Sequence, residues 1–508
     1  MSCLVAPTPY ALILTALSLS AIQGGPVRDY DGSGGGSGGE KGGFLPPTPP
    51  PWVPTFDLSA STITMQCNSS GLSSPLRGAD FGIVSYDWSN SKADWAKSAP
   101  MDCEERLAHQ ADLTKLVSDA HTTRVFVYRN VVKALPWFSS VRSKLVDPSY
   151  SGFFLKFKSR ERRLKGVGAR GGGGDYHVPR CAAEDGAKCS DLYHDQGQTP
   201  QVPTESNPNP DGSCDPSIGC DCGPGLPCGE YLFDHRNGTM LTDFLVSEVA
   251  LGKSALGRPS VDGLFLDDYW CSDLICEEDP SVPGCPCDDP VQGPTEMEMH
   301  AVGDMGLTDE DVRDITLGWN ETMRAIERAV LGAGGYTWWL MWGQVNANAS
   351  PQILSREDCA SQLRRLCDQG GDGGDPTPSP PALFGVTVNG TEMSHLDLDV
   401  AFFLLVRGPY AWIGWGQWGM SWPFNPEPPH GQLPPMPNGV PFPDLLRQDF
   451  GVPLDESCVE ESTVAEGGSS SSGVFVRRWT VGEVRLDCDA FEATLPGAIK
   501  SLPSAAAM

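Results

Sequence analysis

From Phe81 onward, short apolar runs rich in β-branched and aromatic residues alternate with segments of helical pattern. This alternation is typical of a parallel sheet covered by helices. Eight runs are predicted as strands: Phe81–Tyr86, Arg124–Tyr128, Tyr231–Phe233, Val261–Leu266, Tyr336–Trp342, Leu383–Val388, Tyr410–Trp415 and Val474–Trp479. Since eight parallel strands close a (β/α)₈ barrel, the pattern predicts an α/β fold of that kind, a TIM barrel.

Two helices are predicted from their end signals. Thr308 is placed to cap a helix that runs to about Leu331, with Asp311 at the capping-box position. A second helix is expected over Asp397–Val406, because Gly408-Pro409 follows it and ends helices.

Composition divides the chain into segments. Residues 1–23 hold the apolar run Ala11–Leu17 followed by small residues, which indicates a signal peptide; a disordered N-terminus is the alternative. Residues 24–56 are rich in Gly, Ser and Pro, as linkers are. The barrel is expected over residues 57–490, with an insertion at 151–229, and residues 491–508 form a C-terminal tail. No later run approaches the roughly 18 apolar residues of a membrane span.

The insertion at 151–229 carries six cysteines and several prolines. It is too long for a bare connection and lacks its own apolar pattern, so we expect a loop wall stapled by disulfides. A disordered insert is the alternative for residues 160–174, which are rich in charge and glycine.

The cysteine count indicates the cellular compartment, and the net charge limits the classes of partner. Of 17 cysteines, Cys3 would leave with the signal peptide, and the remaining even number suits disulfide pairing in a secreted or lumenal protein. Five Asn-x-Ser/Thr sequons, at Asn68, Asn237, Asn320, Asn348 and Asn389, are compatible with that route. The net charge of −29 argues against nucleic acid and against acidic polymers as partners, and permits neutral sugars.

Metal and cofactor motifs are not recognisable in the chain. Cys214, Cys220, Cys222 and Cys228 have wider spacing than the usual zinc pairs, so disulfides are favoured over a metal site. The sequence has no G-x-S-x-G elbow, P-loop or H-E-x-x-H. We therefore expect chemistry without a metal or other cofactor.

Carboxylates stand where predicted strands end. The run from Val261 stops at Asp267 and Asp268, and in α/β barrels such strand ends face the active-site mouth. Because neighbouring strand residues point to opposite faces, the two are expected to differ in role. A helix N-cap or a structural ion pair is the alternative.

Cleavage of a glycosidic bond requires a second carboxyl group. Asp87 and Asp234 each follow a predicted strand and are the candidates, whereas Asp195, Glu296 and Glu298 lie in predicted loops and are weaker ones. Aromatic and polar residues near the strand ends are candidate sugar contacts: Tyr86, Trp88, Arg129, Asn130, His194, Asp195, His235, Arg236, Trp270, Trp342, Gln344 and Trp415. Each aromatic taken singly is more often core than ligand contact.

With these residues in view, residues 81–488 resemble a provisional family, the fifteenth of the hypothetical glycosyl hydrolases. The matching stretches are Phe81–Asn90, Val125–Asn130, Tyr193–Gln196, Tyr231–Asn237 and Gly263–Asp268. The resemblance implies a (β/α)₈ fold and a carbohydrate-active role, and it carries over no functional residue. Among barrel glycosidases at large, an Asp ending the fourth strand is often the nucleophile, and Asp267 looks like that residue. The Gly171–Gly174 stretch departs from the family pattern.

The sequence therefore predicts an extracellular O-glycoside hydrolase with Asp267 as nucleophile or base and Asp87 or Asp234 as acid. A catalytically silent carbohydrate-binding or cell-wall protein on the same barrel is the main alternative. A different polysaccharide hydrolase or a lyase is a third.

Overall fold

The computed structural model describes residues 52–53, 55–66, 68–118, 123–157, 191–202, 211–212, 220–278, 305–339, 356–357, 359–367, 383–386, 396–415, 444–465 and 468–497. The predicted signal peptide and most of the predicted linker lie outside these residues, as does much of the insertion at 151–229.

Seven parallel strands form the main sheet. They are β1 (Thr62–Gln66), β2 (Ile83–Tyr86), β3 (Arg124–Asn130), β4 (Gly263–Asp267), β5 (Tyr336–Trp339), β6 (Leu383–Val386) and β7 (Trp412–Trp415). Their order in space is β5-β4-β3-β2-β1-β7-β6, so chain neighbours are sheet neighbours and β1 pairs with both β2 and β7. Within the described part of the chain, no strand joins β5 to β6, and the barrel is not closed there.

One indole shows how strongly this sheet curls. The ring centroid of Trp52 lies 5.9 Å from those of Phe126 and Tyr336 and 6.1 Å from that of Trp412. These three rings belong to β3, β5 and β7, which a flat sheet would hold far apart. The amino end of the sheet therefore wraps around Trp52, a residue of the predicted linker.

Two of the predicted strands lie outside the main sheet, and one strand of the main sheet was missed. The strand Thr62–Gln66 was missed because its two threonines and its glutamine interrupt the apolar pattern, although all five of its residues are buried. Tyr231–Phe233 is not in the main sheet: Glu230–Leu232 pairs antiparallel with Lys133–Ala134 and His194–Asp195. Val474–Trp479 belongs to a separate antiparallel sheet.

Helices cover the main sheet and connect its strands. They are α1 (Pro75–Gly78), α2 (Lys92–Trp95), α3 (Glu104–Val117), α4 (Ser139–Leu145), α5 (Thr239–Phe244), α6 (Asp273–Glu278), α7 (Asp309–Gly332), α8 (Cys359–Cys367) and α9 (Leu396–Val406), with a π-helical turn at Leu245–Ala250. The capping box predicted for Thr308 and Asp311 is present at the start of α7.

A four-stranded antiparallel sheet follows the main sheet in the chain. It contains β8 (Val459–Ala465), β9 (Gly468–Trp479), β10 (Gly482–Asp487) and β11 (Glu492–Thr494). Together with α8 and α9 it encloses a second hydrophobic cluster, distinct from the one around β2–β5. Disulfides Cys359–Cys488 and Cys367–Cys458 join α8 to this unit.

Cysteine pairing is only partly as expected. The Cys222–Cys228 disulfide lies at the end of the predicted insertion. Cys103, however, is a free thiol buried at the start of α3, so the even-number argument for complete pairing was wrong. Among the described helices, none is long and apolar enough to cross a membrane.

Candidate active site

Strand register places three polar residues on the inner face of the main sheet at its carboxyl end. Asn130 pairs with Asp267 across β3 and β4, and two residues earlier Tyr128 pairs with Phe265. Phe126, two residues before Tyr128, contacts Trp52 inside the curled sheet, which identifies this face as the interior. Because alternate strand residues share a face, Asp87, two residues beyond the inward Ser85, follows on the same side.

A continuous row of hydrogen bonds joins these side chains. The Tyr128 hydroxyl donates to Asp267 Oδ2 at 2.9 Å. Asn130 Nδ2 donates both to the Tyr128 hydroxyl at 3.0 Å and to Asp268 Oδ2 at 2.6 Å. The adjacent carboxylates Asp267 and Asp268 are therefore both held from β3, through two side chains that share its inner face.

Asp268 has an unusual backbone conformation. Its φ is 61°, in the left-handed region that residues other than glycine rarely adopt. This turn breaks the strand alternation, which explains how Asp268 reaches the same network as Asp267. Such conformations concentrate at functional sites, where the surrounding structure enforces them.

Electrostatics separate the two adjacent carboxylates. Burial raises the pKa of Asp267, and the charge of Asp268 raises it further, against the opposing effects of Tyr128 and Lys133. Burial acts in the same direction on Asp268, but Lys133, at 3.6 Å, and the Asn130 hydrogen bond outweigh it and hold the pKa of Asp268 below its ordinary value. Asp268 is consequently the first of the pair to ionise.

Asp87 is a buried carboxyl with little charge stabilisation. It is 1% exposed, and it accepts hydrogen bonds from Ser89 N at 2.9 Å and from Ser89 Oγ at 2.5 Å. Burial nevertheless raises the pKa of Asp87 to about 6, and the nearby charge of Asp267 contributes to the rise. Asp267 is thus close enough to Asp87 to influence its protonation.

Asp234, the other candidate for the second carboxylate, has different contacts from Asp87. It caps a short 3₁₀ helix and forms an ion pair with Arg236 at 2.8 Å, and Arg236 also binds Asp311 at 2.6 Å. Within the described residues, no hydrogen bond or ion pair joins Asp234 to Asp267. Asp234 and Arg236 therefore fasten the turn at 235–237 to the start of α7.

Two predicted sugar contacts lie on the outer face of the sheet. The Tyr86 hydroxyl is hydrogen-bonded to Thr114 of α3 at 2.6 Å. The Arg129 guanidinium donates to the carbonyls of Tyr128, Val249 and Ser254, and it lies 3.6 Å from the Glu104 carboxylate. Both side chains fill the layer between strands and helices, so the structure does not bring them to the carboxylates.

The predicted histidines are buried near the site without entering its network. His235 Nε2 donates to the Val131 carbonyl at 2.7 Å, and burial lowers the pKa of His235 to about 4, so it is neutral. His194 stacks on Tyr231 and bonds through Nδ1 to the Leu192 carbonyl. Asp195 accepts from Gly197 N at 2.8 Å and shapes a loop turn.

The predicted tryptophans are packed into the fold where the structure describes them. Trp88 is 3% exposed and contacts Trp95 and Trp137, with ring centroids 5.9 and 5.4 Å away. Trp270 is 0% exposed. Trp342 and Gln344 lie outside the described residues, and so does the side chain of Trp415, whose backbone ends β7.

Three members of the site were not singled out from the sequence. Tyr128 lies on β3 between Phe126 and Asn130, and strand alternation places it with Asn130. Lys133 and Glu230 form an ion pair at 2.8 Å from strands of the small antiparallel sheet. Their pairing depends on a long-range contact that no local pattern records. Among described residues, no three His, Cys, Asp or Glu side chains are grouped so as to hold a metal ion.

Comparisons with known proteins find remote similarity in structure alone. No protein-family model matches the chain, and no curated protein matches it. A dextranase of glycoside hydrolase family 31 from Flavobacterium johnsoniae, solved with glucose, is similar with a TM-score of 0.32 and 10% identity over 75% of this chain. This chain covers only 38% of the dextranase.

Two further solved structures are similar at the same level. Sucrose 6F-phosphate phosphorylase from Thermoanaerobacter thermosaccharolyticum has a TM-score of 0.36 and 8% identity, covering 87% of this chain and 97% of the phosphorylase. A debranching enzyme from Nostoc punctiforme has a TM-score of 0.30 and 10% identity, covering 86% of this chain and 88% of the enzyme.

Proposed function

We propose that this protein is a glycoside hydrolase that cleaves O-glycosidic bonds of an oligo- or polysaccharide. One observation carries the proposal: Asp87 and Asp267, both buried, follow the inner face of the sheet to its carboxyl end, and the charge of Asp267 contributes to the raised pKa of Asp87. Glycosidases use two carboxyl groups, one as an acid and one as a nucleophile or base. The net charge of −29 favours a neutral sugar as the substrate.

The environments of the two groups suggest their roles. Asp87, whose pKa is raised to about 6, keeps its proton up to a higher pH than an ordinary aspartate does, and it is the proposed acid that protonates the leaving oxygen. Burial raises the pKa of Asp267, but the hydrogen bond from Tyr128 and the Lys133 cation favour its charged form, and it is the proposed nucleophile or base. Asp268, held ionised by Lys133 and Asn130, orients Asp267 through their shared network.

We propose further that the protein acts outside the cell or in the secretory pathway. Three disulfides connect described residues, and such bridges persist mainly in oxidising compartments. The predicted signal peptide agrees with that location.

A catalytically silent carbohydrate-binding protein is the second candidate. The observation that favours it is the ion pair between Asp268 and Lys133, because a carboxylate fixed by a cation is less able to attack or to accept a proton. Asp87 forms no ion pair with a cation among the described residues, and its hydrogen bonds come from Ser89, which favours the enzyme.

Reducing-sugar release from a panel of neutral polysaccharides tests the proposal. Wild-type protein is expected to release sugar, and Asp87→Asn is expected to lose about 10²- to 10⁴-fold in kcat, the usual contribution of a general acid. Asp267→Asn is expected to lose at least as much. Asp234→Asn is the matched control, since Asp234 serves an ion pair with Arg236, and it should keep nearly full activity.

The opposite pattern would reject this assignment. Full activity in Asp87→Asn with loss in Asp234→Asn would transfer the acid role to Asp234. Binding of a polysaccharide without turnover by the wild-type protein would favour the silent binder. Unsaturated sugar products would identify a lyase instead of a hydrolase.

A further inference from the structure

Lys133 and Glu230 reach the carboxylates from outside the main sheet. Lys133–Ala134 pairs antiparallel with the strand Glu230–Leu232, and Lys133 is opposite Leu232, so Glu230, two residues before Leu232, lies on the same face as Lys133. Lys133 Nζ lies 2.8 Å from Glu230 Oε2 and 3.6 Å from Asp268 Oδ2. The Lys133 side chain is only 10% exposed, so water screens these contacts weakly.

The contacts form an unbroken series from Glu230 to Asp267. Glu230 holds Lys133, Lys133 faces Asp268, and Asn130 binds Asp268 and the Tyr128 hydroxyl. Tyr128 then donates to Asp267. Among the described residues, the charged and titratable groups around Asp267 include Tyr128 of β3, Lys133 of the strand Lys133–Ala134, Asp87 after β2, and Asp268 beside it.

The charges in this series favour or oppose the ionisation of Asp267 and Asp268. Asp267 and Asp268 are adjacent anions when both are ionised, and like charges in a buried site oppose double ionisation. The Lys133 cation offsets that repulsion for both carboxylates. Glu230, an anion bound to the same cation, weakens the effect of Lys133.

We propose that Lys133, anchored by Glu230, is a positioning residue that sets the pH above which Asp267 and Asp268 are both ionised. The inference rests on the proposed function, because it takes the ionised form of Asp267 as the active one. Lys133 acts through Asp268 and Asp267 and has no direct role toward the sugar. Its effect should appear on the acidic side of the pH–activity profile.

The experiment compares two charge removals of opposite sign. In Lys133→Met, the acidic limb of kcat/KM should move to higher pH by about 1 to 3 units, since an opposing charge at this range shifts a carboxyl by that much. In Glu230→Gln, the limb should move to lower pH, because the Lys133 cation is then less neutralised. Lys133→Arg keeps the charge and should restore the wild-type limb.

A matched control and a direct titration complete the design. Lys156→Met removes a cation paired with Asp191 at 3.1 Å on the surface, and it should leave the limb unchanged. Carboxyl-carbon NMR of ¹³Cγ-aspartate protein, assigned with Asp267→Asn and Asp268→Asn, follows the same ionisations without any substrate.

The outcomes separate the two claims. Opposite shifts of the titration midpoints in Lys133→Met and Glu230→Gln support the inference. No shift, or shifts in the same direction, would overturn it and leave Lys133 a purely structural residue. If the midpoints shift as expected but wild-type protein releases no sugar from the panel, the proposed function fails while the charge-setting role of Lys133 stands.

Discussion

Asp87 keeps a proton at a pH where most aspartates have lost theirs. Burial raises its pKa from 3.8 to about 6, so the folded protein holds this proton more tightly than the unfolded chain does. The stability that results is fully present below about pH 3.8 and is lost as the pH rises through about 6. Near neutral pH, the folded protein must therefore bear a buried charge.

This cost predicts the behaviour of Asp87→Asn. The amide cannot ionise, but its oxygen can still accept the Ser89 hydrogen bonds. The variant should unfold less easily than wild type above pH 6, by up to about 3 kcal/mol, because one pKa unit corresponds to about 1.4 kcal/mol. Urea unfolding at a series of pH values measures the difference, and parallel pH curves for the two proteins would contradict it.

For a single residue, agreement between prediction and structure depends on which face of its strand the residue lies on. Asp267 was singled out because it ends an apolar strand, and the structure places Asn130 and Asp87 on its face. Tyr86 and Arg129 each lie one position from an inward residue, and they point to the helices instead. A strand buried on both faces is apolar throughout, so its sequence does not tell which alternate positions face inward.

The capping box of α7 gives a prediction at the scale of one element. The Thr308 hydroxyl accepts from Asp311 N at 3.2 Å, and Asp311 Oδ2 accepts from Thr308 N at 2.9 Å. Thr308→Ala should reduce the free energy of unfolding by about 1 kcal/mol, the usual value of such a cap. Chemical denaturation measures it, with Thr308→Ser as the control that keeps the hydroxyl. Equal losses in both variants would show that the cap contributes nothing.

Whole elements were predictable where local pattern decides them. Helices α7 and α9 begin and end close to their predicted limits because capping residues and Gly-Pro mark them. The strand Glu230–Leu232 was misplaced because its choice of an antiparallel partner is a long-range event. The prediction counted this strand in the main sheet and missed β1. Because these two errors cancel, β4 is the fourth strand of the main sheet, as predicted.

At the scale of the whole molecule, the disulfides differ greatly in the length of chain they close. Cys359–Cys488 spans 129 residues, whereas Cys222–Cys228 spans 6. In the chain-entropy model these loops correspond to about 5 and about 2 kcal/mol. Replacing both cysteines of the longer loop by alanine should therefore lower the melting temperature more than the same change at the shorter one.

Calorimetry of the two double variants checks this expectation. Equal or reversed losses would mean that local strain or packing outweighs loop length.

Hydrogen bonds also hold the antiparallel sheet to α9. The Arg477 guanidinium of β9 donates to the carbonyls of Leu404, Leu405 and Arg407 at the end of α9.

Architecture was predictable in kind and only partly in detail. Alternating strands and helices indicated a parallel α/β sheet, and the described strands follow one another around it. The predicted barrel count used Val474–Trp479, which lies in the antiparallel sheet. Sheet membership depends on which distant strand supplies the hydrogen bonds, and an apolar run alone does not contain that information.

Trp52 gives the amino end of the sheet a consequence for the chemistry at the other end. Its indole covers the axis around which β3, β5 and β7 curl. A chain shortened to begin at Asp57 would admit water at the amino ends of these strands, closer to Asp87 and Asp267 than in the full chain. The high permittivity of that water would weaken both the burial effect and the mutual influence of the carboxylates. The acid strength of Asp87 thus depends in part on Trp52, which belongs to a segment whose composition resembles a linker.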